Sequence, residues 1–124
     1  MLMIKGDRDP GHLPGEELMA EMARYNEELS KAGVLVDLAA LHWSAEGVRV
    51  GFSGGERTVA EGPFGDPKEI VAGYWILRVK SMDEAIEWAK RLPFEAGGEP
   101  DAEGEIEIRQ VFEMEEFGET PPVT

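Results

Sequence analysis

Apolar positions change period several times along the chain, and each change marks an element. Met1 to Lys5 is mostly apolar and stops at Gly6, Asp7, Arg8, Asp9, Pro10 and Gly11, which reads as a strand followed by a turn. From Pro14 to Ala32 the spacing becomes helical, with Leu18, Met22, Tyr25 and Leu29 forming one stripe. Glu16, Glu17 and Glu21 crowd the positive end of that helix, Lys31 sits near the negative end, and Gly33 supplies a left-handed cap. Val34 to Ser44 is rich in Val and Leu and reads as a strand, interrupted only by Asp37. Val48 to Phe52 follows the turn Ala45, Glu46, Gly47, so these two segments are expected to pair as a hairpin.

Ser53 to Glu56 is a second tight turn, after which Arg57 to Ala60 returns as a short strand. The segment Glu61 to Pro67 carries two prolines and two glycines and forces a loop. Ile70 to Lys80, with Tyr74 and Trp75, is β-branched and aromatic and reads as a long central strand. Ser81, Met82, Asp83, Glu84 has the form of a capping box, opening a helix whose stripe is Ala85, Ile86, Trp88, Ala89 and Leu92 and which Pro93 ends. Glu95 to Gly104 reads as loop. Ile106, Ile108, Gln110 and Phe112 then alternate with Glu107, Arg109, Val111 and Glu113 as a last strand. The expected organisation is one domain over residues 1–113 and a loosely held acidic tail over 114–124.

This order gives an α+β fold, a ferredoxin-like antiparallel sheet with two helices on one face and an added hairpin. Two helices cover only one sheet face, so the other is expected to close against a second copy of the chain, making a homodimer. Composition narrows the chemistry. The length of 124 residues suits one core, and 42% hydrophobic with 31% charged residues is globular rather than disordered. Without cysteine, disulfides, thiol nucleophiles and Cys-ligated zinc are excluded. A net charge of −14 repels phosphate backbones and anionic lipid, so neither nucleic acid nor a membrane is expected as a partner. The opening residues carry no basic, apolar leader, and the expected location is the cytoplasm.

The segment Glu61, Gly62, Pro63, Phe64, followed by Lys68, Glu69 and Ala72 to Leu77, resembles the YCII-related family in its DGPF-domain branch. Met1 to Gly6, Ala32 to Val36 and Asp83 to Ala89 are similar to further segments of that family. The resemblance covers most of Met1 to Val111 and implies a dimeric α+β barrel, while saying little about chemistry. Two departures stand out. Glu61 replaces the branch's Asp, and Leu41, His42, Trp43, Ser44 stands where a Gly-Leu-x-Pro type segment is usual. The His and Asp dyad proposed for some relatives does not carry over, because Glu16 to Ala32 contains no His.

No catalytic triad, phosphate loop or dinucleotide fingerprint occurs, and no metal or cofactor is expected. His12 lies in a polar loop, whereas His42 stands beside Trp43 near a strand end, where a titratable group and an aromatic wall can meet a ligand. Asp37, the one acid in an apolar strand, has the raised-pKa potential of a general acid or base, while strand alternation favours its facing solvent on the meander's open side. Arg78 and Arg109 sit in apolar strands, where a cation either snorkels to an edge or pairs with a buried anion such as Asp37 or Glu61, pairing being the favoured expectation. The expected ligand site brings His42, Glu61 and at least one of Tyr74 and Arg109 to one apolar cavity. The leading functional expectation is a dimer binding a small apolar or aromatic ligand. The resemblance adds two alternatives: a cofactor-free lyase, isomerase or oxygenase using Asp37 or His42, and a regulatory interaction protein linked to transcription.

Overall fold

A computed structural model describes residues 1–7, 15–93 and 104–118. Its elements are β1 (Leu2–Lys5), α1 (Glu16–Lys31), β2 (Leu35–Ala40), β3 (Val48–Ser53), β4 (Glu56–Glu61), β5 (Val71–Leu77), α2 (Met82–Lys90) and β6 (Glu105–Ile108). The four longer-range strands form an antiparallel sheet in the order β2, β5, β1, β6, and β3 with β4 forms a separate two-stranded ribbon. The α+β architecture, the two helices and the added hairpin therefore stand as the sequence implies. His12, Pro14, the loop from Glu95 through residue 103 and the tail beyond Gly118 lie outside the described residues.

Burial follows the periodicities. On α1, Tyr25 and Leu29 are buried, and Met22 packs against them. Leu2 of β1, Trp75 of β5, Ala85 of α2 and Leu92 just after it complete the core. Tyr25 ties the layers together: its ring meets Trp75 edge-on at 5.7 Å, and its hydroxyl donates to the carbonyl of Trp88 at 2.8 Å. The Trp75 indole donates to Asn26 at 2.8 Å. Buried Tyr and Trp thus keep partners for their polar atoms. Trp75 faces the helices, so by strand alternation its neighbour Tyr74 faces the open side, together with Met3, which is opposite it in register.

Both helix ends obey local chemistry. Gly33 has φ +74°, and the amides of Gly33 and Val34 donate to Ser30 and Leu29, closing α1 with a Schellman motif. At α2, the Ser81 hydroxyl accepts from the amide of Glu84, as expected, but the Glu84 carboxylate reaches past Ser81 to the amide of Lys80 at 2.9 Å.

One pairing and one strand length differ from expectation. β2 and β3 make no hairpin: β2 pairs with β5, and β3 pairs with β4. A 3-10 turn at Ser44–Glu46 separates them and sends the chain away from the sheet. The last strand ends at Ile108 instead of running to Glu113, because its partner β1 is only four residues long and offers no further ladder beyond the two bonds exchanged by Arg109 and Met1.

Candidate functional site

The connection after β2, the loop after β1 and the Glu61 to Phe64 loop meet at Ser44. Ser44 is 5% exposed. Its amide donates to one oxygen of Asp7 at 2.8 Å and its hydroxyl donates to the other. The same hydroxyl accepts from the amide of Phe64 at 3.2 Å. Gly62 donates to the carbonyl of Gly47 at 3.0 Å, and the Gly62–Pro63 bond is cis. A Cβ on Gly62 would stand 1.7 Å from the Ser44 carbonyl oxygen, so glycine is required there by close approach. The requirement is not a conformational one, since Gly62 is not among the residues of positive φ.

Around this knot lies a shallow cleft of about 290 Å3, lined in part by His42, Trp43, Arg49, Phe64 and Ile70. The Arg49 guanidinium covers the Phe64 ring at 4.1 Å. His42 contributes little enclosure, because its side chain is 87% exposed and its Nδ1 lies 2.9 Å from Glu46.

A larger cleft of about 450 Å3 opens at the opposite end of β5, between the end of the main sheet and the start of α2. Its apolar lining includes Leu2, Ile76, Leu77, Val79, Ala85 and Ile108. Val36, the extra residue of a register shift between Leu35 and Asp37, forms part of its edge. Arg78, Lys80 and Arg109 line it together with Glu113. Both arginines leave their strands at this end, Arg78 tied by its amide to the Val34 carbonyl at 2.8 Å and Arg109 to that of Met1 at 2.9 Å.

The expected site residues are therefore divided. His42 lines the small cleft and Arg109 the large one. Glu61 ends β4 opposite Val48, on the exposed ribbon. Tyr74 donates to Asp37 at 3.2 Å on the open sheet face, and that hydrogen bond, followed by the carboxylate's charge, raises the Tyr74 pKa. Asp37 also accepts from the amide of Leu38 and is exposed on an edge strand, so the apolar surroundings that motivated its role as a base are absent. Neither arginine pairs with Asp37 or Glu61. Arg109 instead pairs with Glu107 at 3.3 Å, and this bond, followed by the charge of Lys5, holds the Glu107 carboxyl below its ordinary pKa.

Sequence reasoning missed Asp7, Ser44 and Lys80. Asp7 and Ser44 are far apart in the chain, and the only local sign of Ser44 is its place in the unusual Leu41 to Ser44 segment. Lys80 directly precedes the cap residue Ser81, but nothing in the linear pattern shows a cleft beside it.

Among the described residues no helix is long and apolar enough to cross a membrane. An uncharacterised protein of Rhizobium meliloti (strain 1021) is 30% identical over 77 residues, and the match spans 62% of this chain and 62% of that protein's length. The model of the YCII-related domain matches residues 1–115, which takes in both clefts and every described strand and α-helix. The chain belongs to the YCII-related family.

Proposed function

We propose that this protein is a cytoplasmic homodimer that binds a small, largely apolar molecule in the cleft between the main sheet and the start of α2. The observation that carries the reading is the cleft itself. Its volume of about 450 Å3 falls within the range of small-molecule sites, and its walls combine aliphatic side chains with the polar and charged groups of Arg78, Lys80, Ser81, Arg109, Gln110 and Glu113. The Glu61 to Phe64 loop supports placement in the DGPF branch, with Glu keeping the carboxylate that the branch supplies as Asp. In this reading that loop is a scaffold, since its amides and glycine are consumed in holding Ser44. Arg109 is the member of the expected site set that serves the ligand.

The dimer is supported by the open sheet face. Met3, Ala39, Tyr74 and Ile76 lie on the side away from the helices and are only partly buried. A twofold partner sheet would cover them. Sedimentation at micromolar concentration is expected to give twice the 13.7 kDa chain mass, and a strict monomer would contradict this part of the reading.

Calorimetric titration with octan-1-ol tests the cleft. Wild type is expected to bind the alcohol. Val36→Trp, at an exposed position on the cleft edge, is expected to weaken binding about tenfold by filling the opening while leaving the melting temperature within a few degrees. Equal affinity in the two proteins would place the apolar site elsewhere.

A further inference from the structure

The larger cleft collects positive charge in a chain of net charge −14. Most described cations are already occupied. Lys5, Arg24, Lys31, Lys90, Arg91 and Arg109 pair with glutamates, while Arg49 and Arg57 lie over the rings of Phe64 and Phe52. Among the described residues, that leaves Lys68, Arg78 and Lys80 without an ion-pair or aromatic partner. Two of these three line the same cleft, and Arg109 joins them from the far side of β1. Acids outnumber bases by 26 to 12, so the lack of partners for Arg78 and Lys80 does not come from any shortage of carboxylates.

Topology explains the grouping. β5 and β6 are both antiparallel to β1 and so end at the same edge, about 10 Å apart across two strand spacings. Arg78 follows the last residue of β5, Arg109 follows that of β6, and Lys80 precedes the cap of α2. The carboxylate at this rim, Glu113, is engaged in a reciprocal capping box with Glu116 in the turn Met114–Phe117. The Arg109 pair with Glu107 is exposed, and exposed pairs of this kind contribute only about 0 to 1 kcal/mol, so the guanidinium is readily shared with a ligand.

We infer that the cleft takes a small amphipathic anion, with a carboxylate head held by Arg78, Lys80 and Arg109 and an apolar body lying against Leu77, Val79 and Ile108. This rests on the proposed ligand site and names the class of molecule that fills it. A free acid fits better than a lipid headgroup, because the chain's net negative charge is repelled by an anionic bilayer.

The test compares octanoate with octan-1-ol, which share a chain length and differ in charge, by calorimetry on the full chain at low salt. Wild type is expected to prefer octanoate by about tenfold, the scale of one charge-assisted contact, and to lose that preference in 0.5 M salt. Replacing Arg78 and Lys80 together with Gln should bring octanoate down to the affinity of octan-1-ol and leave octan-1-ol unchanged, which also shows that the variant is folded. Lys68→Gln lowers the positive charge at a distant site and should keep the preference. Vesicles of phosphatidylglycerol should not bind the protein. Equal wild-type affinities for acid and alcohol would overturn the anion assignment and leave the apolar site standing, whereas binding of neither would overturn both. A preference lost equally in Lys68→Gln, or recruitment to the vesicles, would also overturn the assignment.

Discussion

Gly62 and His42 lie close in the fold and bear unequal structural weight. Gly62→Ala would drive a methyl group into the Ser44 carbonyl, and backbone cannot give way as a flexible side chain can. We expect a loss of about 3 kcal/mol or more, at the upper end of overpacking costs. His42→Ala removes an 87% exposed ring and should change stability by less than about 0.5 kcal/mol. Comparable melting shifts for the two would mean that the Ser44 knot does not hold the loops. Tyr25 offers a pH test. Burial pushes its pKa up to about 12, so the fold favours the neutral phenol over its ionised form. That contribution is fully present below the ordinary tyrosine value near 10 and is lost as pH rises toward 12. The melting temperature of wild type should fall across this window, and Tyr25→Phe should fall less steeply from a lower start, having lost the bond to Trp88. At this scale the sequence marked Gly62 only as part of a motif loop, and it set Tyr74 and Trp75 apart without assigning their faces. Alternation puts Tyr74 and Trp75 on opposite faces. Which face is covered depends on where the helices pack, and that is not a local property.

The elements themselves were legible wherever their cause is local. The stripe of α1, its Gly33 cap and the Ser81 cap of α2 all act within a few residues. Gly33→Ala places a side chain at φ +74° and should cost about 1 kcal/mol without changing the fold, read as a lower denaturant midpoint at unchanged slope. A neutral result would show that the Schellman end of α1 tolerates rearrangement. Strand partners were harder to read. The run from Val34 to Ser44 contains nothing to show that its mate is β5 rather than the adjacent Val48 segment, and only the 3-10 turn at Ser44–Glu46, fixed by Asp7 from across the chain, breaks the hairpin. The alternation from Ile106 to Glu113 likewise outran its ladder, because a strand's length is set by its neighbour as well as by its own pattern.

At the scale of the whole molecule, the sheet order β2, β5, β1, β6 decides where chemistry gathers. It sends Arg78 and Arg109 out at one end and leaves His42 at the other, dividing His42 from Arg109, which the linear sequence led one to expect in a single cavity. Arg78 and Arg109 were both identifiable as cations in apolar strands. That they gather with Lys80 was not, because their proximity arises only when β1 is inserted between β5 and β6. The most direct measurement is a two-dimensional amide NMR titration with octanoate, in which each cleft reports separately. The expected result is saturable shifts at Ile76, Val79, Ala85 and Val111, around the cleft at the start of α2, with Trp43, Phe64 and Ile70 unmoved. Shifts confined to Trp43, Phe64 and Ile70, or scattered over the surface without saturation, would contradict the account.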